Sequence, residues 1–208
     1  MKKGKKSWIR WVGILVILAA VILIAGFAGK QTGEEAPPQL TEDFLGMHLA
    51  RGSKVPDFVF TDAQGNTHRL YEVLSEKKLV VLNFWYINCM YCVQEFPVME
   101  SVYGQYKDKA EIFALTPRDD AAEVRAFGQE YGLSFPMGED SYHLNNAFGV
   151  SGYPTTVFID RYGEVCLVQV GAMLREGELA NAFAYFTAKD YEQVLFSSLS
   201  AIPKVTEN

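Results

Sequence analysis

Residues 79–100 read LVVLNFWYINCMYCVQEFPVME, and the character of the chain changes inside this stretch. Leu79 to Tyr86 is a nearly continuous apolar run of strand length, the pattern of a strand covered on both faces by helices, and is expected to be the central strand. From residue 90 to 107 the positions Tyr91, Val98, Val102 and Tyr106 follow helical spacing, with Pro97 predicting a kink. Between the two lies Cys89-Met90-Tyr91-Cys92. A cysteine directly after a buried strand, at the first turn of a helix, meets unpaired backbone N–H groups and the positive end of the helix dipole. Cys89 is therefore expected to ionise more readily than a free thiol. Cys92, one helical turn on, is expected to be more buried and near enough for the sulfurs to bond. This supports a reversible disulfide in which Cys89 attacks a partner's disulfide and Cys92 resolves the mixed intermediate.

Other uses of a Cys-x-x-Cys pair fit the residues less well. A structural zinc site usually needs four ligands, and neither a second cysteine pair nor a His-x-x-x-His accompanies this one. Covalent haem attachment needs His directly after the second cysteine, where this chain has Val93. A structural disulfide is the strongest competing reading. No metal is expected, and no cofactor beyond the redox-active pair.

Outward from this centre the pattern alternates strands and helices. DFVFTD (57–62), a turn at 63–66 and Thr67 to Leu70 suggest a β-hairpin, followed by a short helix from Tyr71 to Glu76. Glu111 to Thr116 reads as a second parallel-type strand, and Asp119 and Asp120 offer N-cap chemistry to a helix ending at Gly132. A short extended piece and a small helix are expected within 135–149. TTVFID (155–160), a turn at 161–164 and VCLVQVGA (165–172) read as an antiparallel hairpin, and a last helix is expected from Arg175 to Ala188 with Leu179, Phe183 and Phe186 on one face. Cys166 reads as a small core residue within a strand. His48, His68 and His143 are scattered and are expected at the surface.

The 208 residues carry a net charge of -6, unevenly spread. Lys2, Lys3, Lys5, Lys6, Arg10 and Lys30 are the charged residues of the first thirty, leaving 13 basic against 25 acidic side chains in the rest. So acidic a surface repels phosphate backbones, which argues against nucleic-acid binding. Trp11 to Gly29 is uncharged and nearly matches the roughly 30 Å hydrocarbon core at a rise of about 1.5 Å per residue. It reads as a single-pass signal-anchor in the cell membrane with a cytoplasmic basic stub (1–10); a cleavable signal peptide is the alternative. Residues 30–53 form a linker that includes a short helix around Asp43 to Leu49, 54–189 the folded domain, and 190–208 an amphipathic tail. In either reading the domain lies outside the cytoplasm, where disulfides persist.

The segment quoted above, with VPDFVFTDAQGN (55–66) before it and GYPTTVFID (152–160) after it, resembles the membrane-anchored TlpA/ResA-like thiol-disulfide oxidoreductases of the thioredoxin superfamily. The resemblance implies an α/β thioredoxin-like fold: a central mixed β-sheet flanked by helices, with an N-terminal hairpin extension. It implies that Pro154 is a cis-proline facing the cysteines and that Tyr153 offers backbone hydrogen bonds to a client strand; Met90 and Tyr91 are expected to border the client, and Trp85 and Phe84 to line the site and the core together. Thioredoxins bury an aspartate beneath the disulfide; the equivalent residue here is Asn83, and Glu95 matches a glutamate that the TlpA/ResA-like group places one turn past the second cysteine. A carboxylate there would raise the cysteine pKa values and relay the proton of Cys92; a solvated helix residue is the plain alternative. The chain departs from the family in having Asn88 where Trp is usual before the first cysteine and Tyr91 where Pro is common before the second.

The resemblance further implies a protein-disulfide reductase fed by a membrane thiol conduit of the CcdA/DsbD type, with oxidised client proteins such as apocytochrome c. An oxidase or isomerase would use the same cysteines in the opposite direction, and a tethered binding module would use them structurally. A peroxiredoxin-like peroxidase is disfavoured, because its pattern needs Pro and Thr where this chain has Leu82 and Tyr86.

Overall fold

The computed structural model describes residues 48–141 and 143–188. The basic stub, the expected membrane-spanning segment at 11–29, most of the linker with its short helix, and the tail at 190–208 lie outside the described residues. Among the described residues no helix is long and apolar enough to cross a membrane.

Five strands form one sheet in the order β5-β4-β3-β6-β7. They are β3 (Leu79–Phe84), β4 (Ala110–Thr116), β5 (Met137–Glu139), β6 (Thr155–Asp160) and β7 (Val165–Val170). β3 pairs parallel with β4 and antiparallel with β6, so it is the central strand of a mixed sheet. All six of its residues are buried, because both its faces are covered. Leu79, Val81 and, just past the strand, Trp85 face a core packed by α2 (Met90–Tyr106), α3 (Ala121–Tyr131) and α5 (Glu176–Thr187). Val80, Leu82 and Phe84 face the other, packed by α1 (Leu70–Glu76) and α4 (Leu144–Ala147). Each such apolar side chain contributes about 1.5–3 kcal/mol by leaving water, and burial on both faces explains the unbroken apolar run.

Local chemistry sets the helix limits. Asp120 caps α3, accepting from the backbone N–H of Ala122 and Glu123, while Glu123 reaches back to the Asp120 N–H in a capping box. Gly132 ends that helix in the left-handed conformation. Asp119, expected to share the capping, is used elsewhere, as described below. α2 runs through Pro97 to Tyr106, so the proline removes one N–H donor without ending the helix. His68, expected to be a plain surface residue, hydrogen-bonds Asp62 at 3.0 Å and lies against the rings of Phe60 and Phe113.

β1 (Val59–Thr61) and β2 (Thr67–Arg69) form the expected antiparallel hairpin. It leans on the outer strand β5, with the Ala63 N–H donating to the Met137 carbonyl at 2.7 Å. Gly138 makes that approach feasible: a Cβ there would lie 2.7 Å from the Thr61 carbonyl oxygen and 3.0 Å from the Phe60 ring. Gly138→Ala is expected to destabilise the fold by about 1–3 kcal/mol through this overpacking. A lowered urea midpoint with an unchanged m value would show it, and an unchanged midpoint would mean that the hairpin yields freely.

Candidate active site

The turn from β3 to α2 positions the cysteines. Cys89 is the N-cap of α2, extended at φ -88° and ψ 98°, and is disulfide-bonded to Cys92 with the Cα atoms 5.3 Å apart. The Cys92 N–H donates to Cys89 Sγ at 3.2 Å. An orphan N–H of the helix N-terminus thus points at the first sulfur, which is the arrangement that stabilises a thiolate. Cys89 keeps 5% of its surface exposed and Cys92 none, so an attacking sulfur from outside reaches the first cysteine.

One helical turn past the pair begins a buried polar chain. Glu95, one turn past Cys92, is completely buried, contrary to the plain reading of a solvated helix residue. Its Oε1 accepts from the Met173 N–H at 2.8 Å and its Oε2 from the Asn83 amide at 3.2 Å. Asn83 also donates to Thr156 Oγ1 at 3.0 Å, its direct partner across the β3–β6 ladder. With its amide nitrogen donating twice, Asn83 Oδ1 is left without a partner, a local cost of about 1–3 kcal/mol. Burial pushes the Glu95 carboxyl up to about 7, against the opposing pull of the Met173 and Asn83 hydrogen bonds. A carboxyl group that exchanges its proton near neutrality is therefore buried one helical turn past the redox pair.

The Tyr153–Pro154 peptide bond is cis. Pro154 is buried and its carbonyl accepts from the Gly171 N–H at 2.8 Å. Gly171, with Met173 on Glu95, brings the loop between β7 and α5 to the site. Nothing in the sequence marked this loop, because both its contacts are backbone N–H groups. Met90 and Tyr91 are more than half exposed, as are the large apolar Val170 and nearly half of Leu174. Trp85 does not belong to this surface. It was expected to line the site and the core together; it is wholly core, fully buried, edge-on to Phe96 at 4.9 Å and against Phe127 at 4.9 Å. Its place at the end of β3 turns it into the core.

The segment preceding Cys89 is fastened from a second loop. Asp119 accepts from the Ile87 N–H at 2.9 Å and from the Thr116 hydroxyl at 2.7 Å, tying the end of β4 to the turn that carries the nucleophile. Cys166 stands apart on β7, half-buried, its thiol donating to the Phe158 carbonyl and pushed up to about 12 by burial. Among the described residues no group of three His, Cys, Asp or Glu could hold a metal ion.

The AhpC/TSA family pattern matches residues 51–168. The chain is 34% identical over 179 residues to the thiol-disulfide oxidoreductase ResA of Halalkalibacterium halodurans, covering 85% of this chain and 93% of that protein. It is 34% identical over 180 residues to ResA of Geobacillus kaustophilus, covering 85% and 94%. A crystal structure from Chlorobium tepidum, described as a thiol:disulfide interchange protein DsbE, superposes with a TM-score of 0.54 at 27% identity, covering 73% of this chain and 99% of that one. Together with a disulfide at the N-terminus of α2, a buried glutamate one turn on and a cis-proline just before β6, these similarities identify the chain as a member of the ResA-type thiol-disulfide oxidoreductases within the thioredoxin-like AhpC/TSA family.

Proposed function

We propose that this oxidoreductase works as a protein-disulfide reductase on the outer face of the cell membrane, held there by residues 11–29. The observation that carries the cysteine roles is the pairing of a slightly exposed Cys89, whose sulfur receives a helix N-terminal N–H, with a fully buried Cys92. In the dithiol state the Cys89 thiolate attacks a client disulfide, forming a Cys89–client bond while the other client sulfur leaves as thiolate and takes up a proton. Cys92, giving its proton to Glu95, attacks Cys89 Sγ; the Cys89–Cys92 bond forms, the second client thiolate leaves, and two electrons have passed to the client. A membrane thiol conduit of the CcdA/DsbD type returns the electrons, and apocytochrome c is the client class that the family resemblance suggests.

The reducing direction is supported by Glu95. A carboxylate beside the pair disfavours thiolate by like-charge repulsion, and a protein whose thiolate is poorly stabilised holds its disulfide more firmly and reduces others. A strong oxidase needs the reverse. The client rests on Met90, Tyr91, Val170 and Leu174 and pairs with the backbone at Tyr153, next to the cis-proline.

Cys92→Ser is expected to trap clients as mixed disulfides on Cys89, released by reductant, while Cys89→Ser traps none; Cys166, half-buried with its thiol hydrogen-bonded to the Phe158 carbonyl and its pKa raised, does not compete. Absence of any adduct would leave a tethered binding module. The measured potential sets the direction: a value near thioredoxin's, about -270 mV, fits a reductase, and one near DsbA's, about -120 mV, an oxidase.

Glu95 yields a pH prediction. Its folded pKa of about 7 lies above the ordinary 4.5, so its contribution to stability is full below pH 4.5 and is lost as pH rises through 7. The oxidised protein is expected to lose about 3 kcal/mol more than Glu95→Gln across that window, read by urea unfolding at successive pH values. Parallel curves would remove the titrating carboxyl. The same variant is expected to lower a cysteine pKa and to slow exchange.

A further inference from the structure

Arg118 stands at the rim of the site in an unusual setting. Its guanidinium lies over the Tyr86 ring at 4.3 Å and within 5.4 Å of the Tyr153 ring, and the two tyrosines meet edge-on at 5.3 Å. Tyr86 is three residues before Cys89 and Tyr153 directly precedes the cis-proline, so this cation bridges the two backbone segments that flank the disulfide. Its main chain is also fixed. The Arg118 N–H donates to Thr116 Oγ1 at 3.2 Å, and the next residue, Asp119, anchors Ile87.

The guanidinium is exposed and, among the described residues, has no carboxylate partner. This is notable in a chain that holds 25 acidic residues, several of them adjacent. The neighbouring carboxylates are held by backbone N–H groups: Asp119 by Ile87, Asp120 by Ala122 and Glu123, Glu139 by Ala121, and Asp140 by Leu144 and Asn145. Stacking on an aromatic face holds a guanidinium in place and leaves the N–H groups in its plane free, the geometry that grips a carboxylate by two parallel hydrogen bonds.

We propose that Arg118, set by Tyr86 and Tyr153, is a specificity residue that selects client disulfides carrying an aspartate or glutamate beside the attacked cysteine. The proposal rests on the reading of the site as one that reduces client disulfides. Arg118 acts by holding the client and takes no part in sulfur exchange.

The test is single-turnover oxidation of the full-length protein, reduced and freed of reductant in neutral detergent, by disulfide peptides identical except for Glu, Gln or Lys next to the target cysteine. The wild-type protein is expected to react about tenfold faster with the Glu peptide than with the Gln peptide at low salt, and this ratio is expected to shrink as added salt screens the pair. Arg118→Gln is expected to bring the Glu-to-Gln ratio to about one, and Arg118→Glu to invert the preference in favour of the Lys peptide. A wild-type protein with no preference, or a preference that survives in Arg118→Gln, would overturn the proposal. Should the variants fold poorly, a salt-insensitive wild-type ratio would overturn it as well. Failure of every peptide to oxidise the reduced wild-type protein would instead overturn the client-reduction reading beneath it.

Discussion

The burial of β3 on both faces is the constraint from which the site follows. With α2, α3 and α5 on one side and α1 and α4 on the other, the strand can turn into a helix only at its end, where the sheet meets solvent. Cys89 falls at that point as the cap of α2, and its sulfur takes the N–H that a helix start leaves unpaired. The same covering draws Trp85 into the core, away from any client, and leaves Met90 and Tyr91 at the surface. Reactivity at the first cysteine and protection of the second are thus two consequences of one strand-to-helix turn.

Electrostatics beneath the disulfide reinforce this division. A fully buried carboxyl group is tolerated because two donors, the Asn83 amide and the Met173 N–H, meet its oxygens, yet burial still lifts its pKa to about 7. Asn83 cannot exchange a proton, so the titratable member of this polar chain is Glu95. Its supports come from three separate elements: the strand β3 through Asn83, the facing strand β6 through Thr156, and the loop before α5 through Met173. A carboxyl group so braced is held in one orientation.

Around the rim the chain carries features of its own. Tyr86, Tyr153 and Arg118 form a stacked group on the two segments bordering the cysteines, while Asp119 locks the loop that carries Arg118 to the turn before Cys89. The disulfide with Glu95 and this stacked group at the rim are separate features of the site.

Much of this was legible along the chain, for physical reasons that can be named. The apolar run at 79–86, the helical spacing after residue 90 and the cysteines at their junction are local patterns, and they determined the central strand, the helix and the reactive pair. The Asp120 cap and the Gly132 stop are equally local. Assigning the cis bond at Pro154 and the position of Glu95 needed the family resemblance, since neither spacing nor composition distinguishes them. Tertiary structure alone decided what depends on distant segments. Met173 reaches Glu95 by a backbone N–H that any residue could supply, Trp85 proved to be core because Phe96 and Phe127 close over it, and Arg118 meets Tyr86 and Tyr153 only once three loops converge at one end of the sheet. Periodicity reports which face a residue turns to its own element; which partner waits there is set by packing between elements far apart in the chain.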